Sequence, residues 1–188
     1  MRIIAGKHRG RRIESPDSYA IRPTSSRTRE AVFNILTHGE YVEPGNSPLI
    51  DQHILDICCG TGAFGLEALS RGAAKVTFID KQRDALKLAR HNAEKFGESE
   101  RSTFLPYDAT NLPKSIKAYA LAYVDPPYKE GLVPKMLVSM AKVGWVNQDS
   151  LIITEQDSKY PFDIPEQFEI IREKDYSKTK VLFLKLAP

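Results

Sequence analysis

Between residues 53 and 157 the chain alternates short apolar runs with amphipathic ones, and that alternation constrains the fold more than any other feature. "HILDIC" (53–58), "KVTFID" (75–80), "STFL" (102–105), "LAYV" (121–124) and "SLIITE" (150–155) read as strands. "GAFGLEALSRG", "RDALKLARHNAEKFG" and "PKMLVSMAKVGW" between them read as helices, the second with Leu86, Ala89, Ala93 and Phe96 on one face. Strands alternating with helices predict an α/β fold: a mostly parallel sheet covered on both faces. The last two runs, "FEIIREKDY" and "KTKVLFLKL", flank a short polar turn at Ser177, which predicts an antiparallel C-terminal hairpin at the edge of that sheet.

The first 48 residues differ in kind. "RIIAG" and "RRIES" read as short strands around the turn "GKHRG", and "RPTSSRTREAVFNILTHG" carries a helix-start signal followed by an apolar stripe of Val32, Phe33, Ile35 and Leu36. "EPGNSP" (43–48) reads as a loop, so the expected division is a basic extension over 1–48 and a main domain over 49–188. Residues 1–30 hold eight Lys/Arg and three Asp/Glu, a charge of +5 against −2 for the remainder. A basic arm on a slightly acidic body points to a polyanionic partner, although a solvated surface would have the same composition.

No apolar run approaches a membrane span, and the first one stops after Ala5, too short for a signal-peptide core; the expectation is a cytoplasmic protein. Cys58 and Cys59 are adjacent, poorly placed to staple a fold, and no Cys/His cluster has zinc spacing, so reduced thiols and no metal are expected.

Gly60, Gly62 and Gly65 spell G-x-G-x-x-G between a strand and a helix, and Asp80 ends the next strand twenty positions after Gly60. Such glycines let backbone N–H groups approach a ligand at a helix N-terminus, and a distal acid can accept from ribose hydroxyls. An adenosine-containing cofactor is therefore expected. Asp56, four residues before the first glycine, would repel a pyrophosphate and suits a cationic ligand such as S-adenosylmethionine, with its sulfonium and α-amino groups; the alternative is that Asp56 only caps the turn.

A second motif, Asp125-Pro126-Pro127-Tyr128, ends the "LAYV" strand. Prolines have fixed φ and no N–H. The motif reads either as a strand-ending turn or, lying with the glycine loop at the strand carboxyl ends, as part of a ligand site.

With both motifs placed, the chain resembles a class I S-adenosylmethionine-dependent methyltransferase with a Rossmann-like, seven-stranded sheet. "RIIAGKHRGRRI", "RPTSSRTREAVFNIL", "LDICCGTGAFGLEALSRGA" and "YVDPPY" stand in the order and spacing of the RsmD family, which methylates guanine N2 in bacterial small-subunit (16S) ribosomal RNA. The resemblance covers nearly the whole chain, and the two N-terminal motifs make it specific. It implies S-adenosylmethionine contacts from Asp56, Cys59, Gly60, Gly62, Asp80 and Asp108, the last meeting the adenine amine; a loop Asp capping its own turn is the other reading of Asp108. The family departs from this chain at Cys58-Cys59, where a bulky apolar residue and Ala are more usual, and at Ser177, where Gly is common.

Guanine N2 is a weak nucleophile because its lone pair is delocalised into the ring. Acceptors around the amine can orient that lone pair and stabilise developing positive charge. In this reading Asp125 supplies a carboxylate, Pro126 a carbonyl with no competing N–H, Pro127 stiffness, and Tyr128 a face on which the base stacks. Lys7, Arg9, Arg11, Arg12, Arg22, Arg27 and Arg29 are the candidate phosphate contacts, and the resemblance places Arg22, Thr24 and Arg27 nearest the active site. The implied partner is ribosomal RNA, within the small subunit or an assembly intermediate, and a monomer is expected. The competing readings are adenine-N6 methylation of DNA or RNA, methylation of a protein glutamine, a non-catalytic RNA-binding relic, and a nicotinamide oxidoreductase. The first usually carries an added recognition domain, the second has Asn in place of Asp125, and the last lacks a second domain here.

Overall fold

Apolar runs without polar alternation make strands buried on both faces, and four such runs lie side by side here. The structure, a computed structural model, describes residues 1–15, 26–38 and 47–188. Its elements are α1 (Ser26–His38), β1 (His53–Ile57), α2 (Ala63–Ser70), β2 (Lys75–Ile79), α3 (Arg83–Phe96), β3 (Ser102–Leu105), β4 (Leu121–Val124), α4 (Val133–Lys142), β5 (Leu151–Asp157), β6 (Phe168–Tyr176) and β7 (Thr179–Leu186). They form one seven-stranded sheet in the order β3-β2-β1-β4-β5-β7-β6. Strands β1 to β5 are parallel to one another, and β7 runs antiparallel to both β5 and β6. The strand order reverses between β1 and β4, so a crevice opens there at the carboxyl ends, where ligands bind in such sheets.

The C-terminal hairpin stands at the edge beyond β5, as its pattern predicts, with its second strand inside its first. Its second strand, β7, is inserted between β5 and β6, so its own apolar run (Val181 to Leu184) is buried while β6 alone is the edge. Strand β6 blunts that edge with Glu169, Glu173, Lys174 and Asp175 exposed and a register shift between Ile170 and Arg172. The turn needs a left-handed residue, and Ser177 fills it at φ 58°. That conformation costs a residue with a Cβ about 1–2 kcal/mol.

Helix α4 ends at Lys142, short of the run to Trp145 that its pattern predicts. Gly144 turns the chain at φ 79°, and Trp145 is buried on Tyr119 with its indole N–H donating to the Pro113 carbonyl at 2.7 Å. A helical continuation would forfeit that seat.

One sheet face is covered by α1, α2 and α3, the other by α4 and the turn at Ala109–Asn111. The N-terminal hairpin joins the first face. Its strands shrink to a single bridge, Arg2 with Arg12, but Ile3 and Ile13 are buried beside Val32, Phe33 and Leu36 of α1. Glu67 of α2, wholly buried, ties the pieces together: it accepts from the Ile4 and Ala5 N–H groups at 2.8 and 3.0 Å and from Arg71 Nε at 2.7 Å. No described helix is long and apolar enough to cross a membrane.

Candidate active site at the strand carboxyl ends

The glycine loop is shaped by three left-handed residues, Cys58 (φ 59°), Gly60 (φ 52°) and Gly62 (φ 77°). Gly65 serves a different need. A Cβ there would stand 2.3 Å from the Phe78 ring and 2.7 Å from Val76, so its absence lets α2 lie directly on β2. Two acids brace the loop from below. Asp56 accepts from the Gly65 N–H at 2.9 Å, and Asp80 accepts from Gly60 at 3.1 Å and Gln82 at 2.9 Å. The turn-capping role thus describes one oxygen of Asp56. Cys59 is buried, and burial raises its thiol pKa and that of Cys58.

Parallel pairing places residues on a common face. Asp56 pairs with both Phe78 and Tyr123, and Val124 pairs with Thr154. Period-two alternation then puts Asp80, Asp56, Asp125 and Glu155 on one face, at or just past the ends of four adjacent strands, β2, β1, β4 and β5. Their fields overlap. Burial drives the Asp56 carboxyl well above the usual range, and Asp125 and Asp80 push it further; burial also raises Asp80. Such a row favours a cationic ligand and repels a phosphate.

Asp125 stands beyond β4 with its N–H donating to Ile57 of β1 at 3.3 Å, so it sits at the reversal of strand order. Pro126 is buried, Pro127 is exposed, and Tyr128 begins a short 3-10 turn, half-buried. The Tyr128 hydroxyl donates to Glu155 Oε2 at 3.0 Å, while Tyr123 donates to Glu155 Oε1 at 2.6 Å. Burial, then the negative Asp125 and Glu155, push the Tyr128 phenol far up. Glu155 is only 2% exposed, and burial followed by the Asp125 charge raises its carboxyl to about 7. Sequence reasoning missed Glu155. It carries the same signal as Asp56, Asp80 and Asp125, an acid at the end of an apolar run, but no motif surrounds it.

Asp108 is exposed and accepts from the Thr110 N–H (2.9 Å) and hydroxyl (2.7 Å), bonds that hold its carboxyl low. It therefore caps its own turn, Ala109–Asn111.

The basic candidates scatter. Arg22 and Thr24 lie outside the described residues. Arg27, Arg9 and Arg12 are exposed. Arg29 must be corrected: it is 1% exposed, 3.9 Å from Glu67 and donating to the Arg2 carbonyl at 2.8 Å, so it belongs to the core and presents nothing to a phosphate. Lys7 and Arg11 face another difficulty. The Lys7 N–H donates to Ser70 at 2.8 Å, and Arg11 donates to the Lys95 carbonyl and lies over the Phe96 ring. Those are the last residues of α2 and α3, which run back along the sheet. The turn of the arm thus sits at the opposite end from the glycine loop, about 12 Å away by the length of α2 alone.

The family described as "Conserved hypothetical protein 95" matches residues 1–185. The ribosomal RNA small subunit methyltransferase D of Escherichia coli is 31% identical over 93% of this chain and 84% of its own. The solved "putative methyltransferase yhhF" from Escherichia coli superposes with a TM-score of 0.83 at 29% identity, covering 99% of this chain and 97% of that one. A more distant likeness, of fold alone, is to an RNA methyltransferase from Salinibacter ruber solved in complex with S-adenosyl-L-homocysteine: TM-score 0.66, 15% identity, 88% of this chain and 94% of that one. The glycine loop, the Asp-Pro-Pro-Tyr turn and the Rossmann-like sheet agree with a match that spans the chain from end to end, and the protein belongs to this family, as an RsmD-like class I methyltransferase.

Proposed function

We propose that the protein transfers the methyl group of S-adenosylmethionine to the exocyclic N2 amine of a guanine in small-subunit ribosomal RNA. The observation that carries this is the row of carboxylates across the strand-order reversal, with the glycine loop on one side and Asp125-Pro126-Pro127-Tyr128 on the other. The donor set fits the cofactor: the acids suit its positive sulfonium and ammonium, and Asp80, at the end of β2, suits ribose hydroxyls. The same row disfavours a dinucleotide pyrophosphate. The activity for which the Escherichia coli relative is named, and the S-adenosyl-L-homocysteine bound by the Salinibacter ruber enzyme, support the same reading.

When bound, the sulfonium supplies an electrophilic methyl carbon. The chain's own residues then aim the acceptor. The Asp125 carboxylate and the Pro126 carbonyl accept the two N2 protons, which turns the nitrogen lone pair toward the methyl. Tyr128 stacks the base, worth about 1–3 kcal/mol. With the cofactor bound, transfer would leave the sulfur neutral and the acceptor nitrogen cationic, and the Asp125 carboxylate or water would take the excess proton. Asp56, Cys59, Gly60, Gly62, Asp80 and Asp108 are our candidates for holding the cofactor, and Lys7, Arg9, Arg12 and Arg27, with Arg22 and Thr24, for contacting RNA. Given where the arm's turn lies, Lys7 and Arg9 would reach RNA flanking the target rather than the target base. The setting we infer is the cytoplasm, on ribosomal RNA within a subunit or its precursor.

The test is transfer from labelled S-adenosylmethionine to unmodified small subunits and to naked ribosomal RNA, with nucleoside digestion. Label in N2-methylguanosine is expected, and Asp125→Ala should abolish it while S-adenosylhomocysteine affinity stays within about twofold. Label in N6-methyladenosine, or none, would discard the assignment.

A further inference from the structure

Glu155 is buried, charged and outside both motifs, yet it touches one of them. Each carboxylate oxygen takes one phenol proton, from Tyr123 at 2.6 Å and from Tyr128 at 3.0 Å. Tyr123 is itself fixed, its ring stacked on Phe64 at 3.9 Å and nearly parallel to it, and Phe64 stacks in turn on Phe33 of α1. The hydroxyl of Tyr128 is thus tethered to a carboxylate whose other oxygen is held by a rigid aromatic stack. A buried carboxylate beside Asp125 is costly, but an apolar side chain in its place would leave two phenol hydroxyls without their acceptor. Its retention makes sense where a double acceptor is needed.

We infer that Glu155 is a positioning residue for methyl transfer, holding Tyr128 so that its ring presents a fixed stacking face beside Asp125. This rests on the proposed role of Tyr128. Both Glu155 oxygens are engaged by phenols, so its action on the acceptor runs through Tyr128. Gln at this position puts an NH2 donor where one of the two acceptor oxygens stands, so one phenol loses its acceptor, and Phe at 128 keeps the ring but loses the tether. The two substitutions therefore remove the same restraint from opposite ends. Thr179 of β7, a second partner of the Tyr128 hydroxyl, limits how far the ring strays but offers no rigid acceptor.

The experiment is a double-mutant cycle on the single-turnover methylation rate, with S-adenosylhomocysteine affinity measured beside it. E155Q and Y128F should each lose tenfold or more in rate and change cofactor affinity by less than twofold. The double variant should lose at most a further two- to threefold, since both losses act through one bond. Losses that multiply, or an E155Q enzyme with wild-type rate, would overturn the inference. If E155Q does not fold, Y128F decides alone: a wild-type rate rejects the tether. A second readout needs no substrate. In carbon-13 tyrosine ring spectra the signal missing from Y128F belongs to Tyr128, and it should shift in E155Q. An unmoved signal overturns the tether even if wild-type protein methylates nothing, whereas an inactive wild type with a shifted signal rejects only the ribosomal RNA assignment.

Discussion

Replacing Glu155 by Gln should remove a contribution to stability that runs with pH in the opposite sense from ordinary acid denaturation. Glu155 is almost wholly buried, and burial together with the Asp125 charge raises its carboxyl from the usual 4.5 to about 7. The folded state therefore binds this proton more tightly than the unfolded state. Its contribution is fully present below pH about 4.5 and is lost as pH rises through 7. At about 1.4 kcal/mol per pH unit the loss is about 3 kcal/mol. Gln carries no charge and pays none of it, but forfeits one phenol hydrogen bond at every pH, about 1 kcal/mol. The variant should be slightly less stable than wild type at pH 5 and more stable, by about 2 kcal/mol, at pH 8. The full swing corresponds to roughly 6–12 °C in Tm for a chain of this size. Thermal or urea unfolding of both proteins at pH 5, 6, 7 and 8 measures it, and taking the difference cancels groups common to both. A difference that stays flat across that range would refute the reasoning, because it would mean that Glu155 ionises as it does in the unfolded chain. A variant that gains stability at pH 8 while losing methylation would mark Glu155 as a charge kept for function.

Other perturbations test other parts of the structure. Glu67→Ala strands Arg29 and Arg71 and frees the Ile4 and Ala5 N–H groups, so it should cost about 3–5 kcal/mol in urea unfolding and expose the N-terminal hairpin to protease; a loss under about 1 kcal/mol would contradict its part in joining the hairpin to the core. Ser177→Gly relieves the left-handed strain in the β6–β7 turn and should stabilise by about 0.5–1 kcal/mol, part of the gain being offset by backbone entropy. Replacing Arg9 and Arg12 together by Ala should weaken RNA binding and reduce the magnitude of its log–log salt slope by roughly one to two; an unchanged slope would remove both from the interface.

Local signals in the sequence already carried much of the fold and site. Apolar runs marked β1, β2, β4 and β5, because burial on both faces leaves a mark within five residues. The left-handed positions at Gly60 and Gly62, and acids ending the strands at Asp56, Asp80 and Asp125, are likewise local facts. The insertion of β7 beside β5 is not, since pairing partners are chosen by contacts between segments far apart in sequence. The same holds for Arg29, which resembles its basic neighbours until Glu67, thirty-eight residues later, buries it. The arm's turn reads as a set of phosphate contacts, but only helix direction puts it at the far end of α2 from the glycine loop. Glu155 shows the division most plainly. By itself it is one acid after an apolar run; only the register of β4 against β5 brings it level with Asp125 and within reach of two tyrosines. Residue type and period are written along the chain, but which charges meet, and in how little water, is decided by tertiary packing.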